Sequence, residues 1–167
     1  ARKFNIDLHT PDNLKSNYEL HRLKNLSPDI IVVIAYGLIL PPEILTIPEF
    51  GCFNLHASLL PKWRGAAPIQ RAMINGDKKT GISIIKIDEG LDTGDIVLKK
   101  EIDIGDNDTQ IDLENKLSKI GAECFTNFFN LLDKYEIYEK QDNSKSTYAK
   151  KILKSERLPD KVVEKLK

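Results

Sequence analysis

The chain has 167 residues, enough for one domain with a real core, and is 41% hydrophobic and 30% charged, an ordinary globular composition. Its 25 basic and 25 acidic residues cancel, which excludes the overall basic excess of a dedicated nucleic-acid binder and confines any polynucleotide contact to a local patch. The longest apolar run, residues 30–35, is the size of a buried strand and too short to cross a bilayer. The chain opens on Ala1-Arg2-Lys3 with no hydrophobic stretch behind it, so no secretory signal is expected and the true N-terminus is expected upstream. Cys52 and Cys124 sit among apolar residues and read as small buried hydrophobes; without a disulfide framework, a cytoplasmic protein is expected.

A short first segment, residues 6–10, leads into Pro11-Asp12-Asn13, a turn or helix-start signal. Leu14, Tyr18, Leu20 and Leu23 recur at roughly helical spacing over residues 13–26, and Ser27-Pro28-Asp29 ends that helix. Residues 30–35 read as a strand buried on both faces, as in a helix-covered parallel sheet. Gly37 and Pro41-Pro42 mark a loop, followed by a short helix over 42–45. Gly51-Cys52-Phe53-Asn54-Leu55-His56 is a second apolar strand whose end turns polar, and a long loop over 57–68 precedes a helix over about 69–75. Residues 82–87 form a third strand, residues 88–95 a glycine-punctuated loop, and residues 96–104 an alternating strand with Lys99 and Lys100, which suits an exposed edge. The strongest helix spans 109–133, where Leu113, Leu117, Ile120, Cys124, Phe128 and Leu131 make one apolar stripe. Asp106, Asp108 and Asp112 lie at its positive end and Lys134 at the other. Residues 1–140 are thus expected to form the folded unit, and the lysine-rich 141–167 a polar linker or tail.

Alternating helices and strands predict an α/β, doubly wound, mostly parallel sheet with helices on both faces. No GxGxxG follows a strand, so dinucleotide binding has no support. Ligands of open parallel sheets bind outside the carboxyl ends of the strands, which directs attention to the loops after Ala35, His56 and Ile87. Asn54 and His56 are two apart at a strand end, so period-two geometry sends both to one face. An amide and an imidazole there can address one reacting carbonyl, the amide binding an oxyanion while the ring moves a proton. Asp92, in the loop after the next strand, can orient the imidazole and favour its charged form. The plainer reading is an Asn and a His that only cap loops, and the spacing alone does not decide. His9 and His21 read as surface or packing residues. Lys62, Trp63 and Arg64 suit either a polyanion contact or a solvated loop.

Ser58-Leu59-Leu60-Pro61, then Arg64-Gly65-Ala66-Ala67-Pro68-Ile69-Gln70, together with Gly90-Leu91-Asp92-Thr93-Gly94-Asp95, closely resemble the signature of the formyltetrahydrofolate-dependent formyltransferase family. The resemblance is strongest over residues 51–96 and extends more weakly from about 6 to 148. It implies a Rossmann-like fold, 10-formyltetrahydrofolate as formyl donor, no metal, and Asn54, His56 and Asp92 as the catalytic residues. It implies that the pterin lies against backbone of Tyr36-Gly37-Leu38-Ile39-Leu40 and Asp88-Glu89-Gly90, and that Ser58, Leu59, Leu60, Pro61, Arg64 and Gly65 form a substrate loop beside the active site. Within the family, Gly65 to Arg71 looks most like the enzymes that formylate initiator methionyl-tRNA, a step of translation initiation, acting as monomers away from membranes. Two alternatives stand beside that reading. One is a sugar-nucleotide N-formyltransferase. The other is a noncatalytic fragment, because the family's opening strands and its C-terminal β-barrel find no counterpart in the chain.

Overall fold

A computed structural model describes residues 1–130, 132 and 138–156; the expected Leu131 and Lys134 positions and the tail beyond 156 lie outside the described residues. In chain order the elements are α1 (Asn17–Leu26), β1 (Ile30–Ile34), α2 (Pro42–Leu45), β2 (Gly51–His56), α3 (Pro68–Ile74), β3 (Lys79–Lys86), β4 (Ile96–Asp103) and α4 (Gln110–Asn130), with short 3-10 turns at 2–4, 143–145 and 154–156. Helix α1 starts four residues later than its apolar spacing suggests. The Asn13 side chain accepts from Lys15 N at 2.9 Å and Ser16 Oγ from Glu19 N at 3.2 Å, so polar side chains compete with the helix until Ser16 caps it. Tyr18 is 69% exposed and stands off the packed face.

The four described strands form one sheet in the order β1-β2-β3-β4. The sheet is α/β as expected and its strands are of mixed sense, but β1, expected to be buried on both faces, is not fully covered: Val32 is 37% and Ile34 58% exposed. β1 and β2 pair in parallel, with Ile34 opposite Leu55, through the α2 crossover. β2 pairs with β3, and β3 with β4, antiparallel. Hydrophobic alternation is identical for the two senses, so strand direction is not written in it.

Period-two alternation along β2 divides the core between the two faces of the sheet. Phe53 joins Ile82, Ile84, Leu113, Leu117, Cys124, Phe125 and Phe128 on the α4 side, with the Phe53 and Phe128 rings 4.8 Å apart. Cys52 turns the other way, to Leu40 and Ile44, with Leu14, Leu20 and Leu23 packed against them. Helix α4 starts with a reciprocal cap, Asp112 accepting from Thr109 N and Oγ1 while Thr109 Oγ1 accepts from Asp112 N.

Residues 139–156 return past the Ile96 end of β4 and along the loop before α3. Glu139 bridges Ile96, Tyr148 bridges Arg64, and Ala149 is 1% exposed. This return is what closes the site described next.

Candidate active site

Asn54 and His56 lie on the same face of β2, opposite Ile85 and Ser83 of β3. Asp92 comes to them by a different route from the one the strand-end rule supplies. Because β3 is antiparallel to β2, the chain leaves it at the Cys52 end of β2, where Ile87 N donates to Cys52 O at 2.8 Å. Loop 88–95 then doubles back, and Lys86 N donates to Asp95 O at 2.9 Å. Gly94 makes that fold possible: a Cβ there would stand 1.8 Å from the Lys86 carbonyl oxygen. Asp92, at φ 53°, hangs from the loop in the left-handed region.

The three side chains meet. Asn54 Nδ2 donates to Asp92 Oδ1 at 3.3 Å. His56 Nδ1 stands 3.5 Å from Asp92 Oδ2, and His56 Nε2 lies 2.7 Å from the carbonyl oxygen of Trp63. A carbonyl only accepts, so Nε2 carries the proton, and Nδ1 is the nitrogen turned toward Asp92. A doubly protonated ring turns an N–H toward each oxygen, whereas a neutral one serves only Trp63. His56 is buried, at 6% exposure, so this pairing is made largely out of water. Asp92 Oδ2 also accepts from Gly65 N at 2.8 Å.

Loop 57–67 is built to hold that backbone in place. Ser58 is fully buried; its hydroxyl donates to Lys62 O at 2.5 Å, and its carbonyl accepts from Ser83 Oγ at 2.7 Å. Ser83 Oγ in turn accepts from Leu60 N at 3.0 Å, and Leu60-Pro61 is a cis peptide. Trp63 takes φ 64°, with its N–H on Thr147 Oγ1 at 2.9 Å and its indole Nε1 on Asp77 at 2.8 Å. Gly65 at φ 108° passes close to Ala149, whose carbonyl oxygen would lie 3.1 Å from an added Cβ. Leu59 packs against β3 at Gly81, where an added Cβ would meet its side chain at 2.6 Å.

The remaining expected residues fall around this centre. Tyr36 and Leu40 share a cluster with Ile87, the residue before Asp88, so loops 36–40 and 88–90 rise from a common base. Leu38 and Ile39 are 55% and 67% exposed, and Leu91 49%. Asp88 spends its carboxylate on its own loop, accepting from Gly90 N at 3.0 Å and Thr93 Oγ1 at 2.6 Å. Of the residues weighed for a polyanion contact, Arg64 is 2% exposed and turned inward to Gln141 and Asn143, while Lys62 pairs with Asp77 at 2.7 Å. His9 bonds Glu19 at 2.8 Å, and both cysteines are buried and free. Among the described residues no group of three or more His, Cys, Asp or Glu is placed to hold a metal ion, and no helix is long and apolar enough to cross a membrane.

Sequence reasoning missed three participants: the Trp63 carbonyl, the Gly65 N–H and Gln141. The first two act through backbone, which residue type does not advertise. Gln141 donates from Nε2 to Asp92 O at 2.8 Å and Gly94 O at 2.7 Å, across 49 and 47 residues of chain that no local pattern spans.

An amide and a carboxylate-backed imidazole on one strand face are groups that can together address a carbonyl oxygen and handle one proton. Residues 3–128 match the family described as formyl transferase, and the chain belongs to that family. The chain is 52% identical over 161 residues to a methionyl-tRNA formyltransferase of Caldicellulosiruptor saccharolyticus, covering 93% of this chain and 50% of that one. It thus spans about half the length of the curated relatives it matches, at 50%. Among solved structures, an N-formyltransferase from Helicobacter canadensis in complex with folinic acid and dTDP-3-aminofucose is 31% identical over 58% of this chain and 36% of its own, with a TM-score of 0.56. A phosphoribosylglycinamide formyltransferase from Bacillus halodurans is 28% identical over 72% of this chain and 66% of its own, with a TM-score of 0.65.

Proposed function

We propose that the chain carries the catalytic site of a cytoplasmic methionyl-tRNA formyltransferase, which moves a formyl group from 10-formyltetrahydrofolate to the amino group of initiator methionyl-tRNA. The observation that carries the chemistry is the meeting of Asn54, His56 and Asp92 on one face, with Asn54 Nδ2 and His56 Nδ1 both beside the Asp92 carboxylate. The choice of acceptor rests on the 52% identity to a methionyl-tRNA enzyme, against 31% and 28% for the sugar and purine relatives.

The acceptor amine attacks the amide-like formyl carbon of the donor, the bond from that carbon to the donor nitrogen breaks, and tetrahydrofolate leaves carrying the proton that the amine loses, with the His56–Asp92 pair placed to pass that proton on. Asn54 Nδ2 hydrogen-bonds the formyl oxygen as it gains negative charge, and His56 Nδ1–H, which faces Asp92 Oδ2 at 3.5 Å without a full hydrogen bond to it, turns to the same oxygen, each such donor commonly contributing ~3–4 kcal/mol to the barrier reduction. Trp63 O fixes the ring by holding Nε2–H at 2.7 Å. Asp92 Oδ2 faces Nδ1 at 3.5 Å and takes Gly65 N–H at 2.8 Å, so that the carboxylate is held in place. Burial of His56 keeps bulk water from competing for that proton. The donor's flat ring system is assigned to the open apolar side chains of Leu38, Ile39 and Leu91 and the adjoining backbone of 36–40 and 88–90. Ser58 to Gly65 borders the acceptor side. Residues 1–140 are proposed as the catalytic unit. Residues 141–156 carry the contacts that buttress it.

Supplying 10-formyltetrahydrofolate with a labelled formyl group, alongside methionyl-tRNA, glycinamide ribonucleotide, an amino-sugar nucleotide or water alone, tests the assignment. Label is expected in methionyl-tRNA. Label only in the sugar or only in free formate would overturn the acceptor, and no transfer to any of them would leave the noncatalytic fragment as the reading.

A further inference from the structure

Resting on the reading of Asn54, His56 and Asp92 as the formyl-transfer site, we infer that Gln141 is a positioning residue that locks the Asp92 loop to the Trp63–Gly65 loop. Its amide is fully used. Nε2 donates to the carbonyls of Asp92 at 2.8 Å and Gly94 at 2.7 Å, and Oε1 accepts from Arg64 Nε at 3.0 Å and Nη2 at 2.7 Å. The orientation of the amide follows from its partners, since carbonyls only accept and a guanidinium only donates. One side chain therefore ties the loop that carries Asp92 to the residue lying between Trp63 and Gly65.

The tie matters because both loops hold costly conformations. Asp92 and Trp63 are non-glycine residues at φ 53° and 64°, and such geometry persists only where the surroundings over-determine it. Trp63 has its N–H, carbonyl and indole all bonded. Asp92 has its carboxylate on Asn54 and Gly65, and Gln141 is what holds its carbonyl. Without that donation the carbonyl is free to rotate, and the carboxylate moves relative to His56 Nδ1, 3.5 Å away. Arg64, buried and bonded to neutral amides, is the fixed post against which Gln141 braces.

Asn143 provides the control. It accepts from Arg64 Nη2 at 2.8 Å, as Gln141 does, on the same return segment. It therefore shares the docking role of Gln141 but not the donation to the Asp92 loop.

The test compares Gln141→Glu, Gln141→Ala and Asn143→Ala in the chain itself, read by the ring ¹⁵N resonances of His56, assigned by their loss in His56→Ala. Gln141→Glu keeps an acceptor for Arg64 and nearly the same shape while replacing the donating amide, so it remains informative if the alanine variant unfolds. Both Gln141 variants are expected to move the His56 signals in the direction that Asp92→Asn moves them, while Asn143→Ala leaves them in place. Turnover, measured in parallel, is expected to fall roughly 10- to 100-fold in kcat with KM for the donor little changed, the scale for groups that orient catalytic residues. Gln141→Glu added to Asp92→Asn is expected to cost little more than Asp92→Asn alone. His56 signals unmoved in Gln141→Glu, or moved equally by Asn143→Ala, would overturn the inference. Absence of transfer to every acceptor in the wild-type chain would instead count against the formyl-transfer reading, and the His56 signals would still decide the role of Gln141.

Discussion

His56 donates its Nε2–H to the backbone carbonyl of Trp63 at 2.7 Å, and this one bond decides which ring nitrogen faces Asp92. It converts an Asn-x-His pattern on a strand into an oriented site. It also makes the conformation of loop 57–67 part of the chemistry.

Replacing Asp92 by Asn keeps the size of the side chain and an oxygen for Gly65 N, but removes the charge facing Nδ1 at 3.5 Å. We expect kcat to fall by about 10²-fold or more, the range associated with losing a proton-handling group, with the fold retained. Steady-state kinetics with circular dichroism checks this, and near wild-type kcat would contradict it.

Asp77 anchors the same loop from outside. Burial works to raise its pKa, and hydrogen bonds from Lys62, Trp63 and Asn75 outweigh that and hold it below its ordinary 3.8. A depressed carboxylate contributes stability that is fully present above 3.8 and is lost as pH falls through the lower folded value. Trp63→Phe removes one of those donors and is expected to cost about 1.5–3 kcal/mol at pH 7 in urea unfolding, with a smaller difference from wild type near pH 3. An equal difference at both pH values would contradict the assignment.

Gly94→Ala places a Cβ where the Lys86 carbonyl oxygen stands 1.8 Å away, and backbone cannot yield as a flexible side chain does. A loss of roughly 2–4 kcal/mol is expected, with activity lost as well because the same loop carries Asp92. Denaturant midpoints at constant m-value measure it. Wild-type stability would show that the turn is not required.

Cys52 lies between the sheet and α2, and burial pushes its thiol up to about 11 against an opposing pull from Lys86. Burial raises Cys124 as well, against a smaller pull from Lys100. At pH 8 the Cys52 thiolate fraction is roughly one in a thousand, so a thiol reagent should label the folded chain slowly and both cysteines quickly in urea. Fast labelling under native conditions would contradict the burial.

Much of this was legible beforehand, for identifiable reasons. The stripe Leu113, Leu117, Cys124 and Phe128 announced α4, and the parity of Asn54 and His56 announced a shared face. Strand sense was not legible, because Ile82 and Ile84 would alternate identically in a parallel strand. The path by which loop 88–95 brings Asp92 beside Asn54 therefore comes from the antiparallel pairing of β3 with β2, which the sequence pattern does not carry. Gln141 was hidden for another reason: glutamine in a lysine-rich stretch looks solvated until its partners, 47 and 49 residues away in chain, are in view. Tyr18 fitted the helical spacing but sits just past a cap that sequence spacing does not weigh.

The most direct test of the central claim is transfer of a labelled formyl group from 10-formyltetrahydrofolate to methionyl-tRNA by the wild-type chain and by His56→Ala, with donor binding measured on both. The account predicts transfer by the wild type, its loss by at least about 10²–10³-fold in the variant, and donor affinity within a few-fold in the two. Transfer by His56→Ala at the wild-type rate would contradict it.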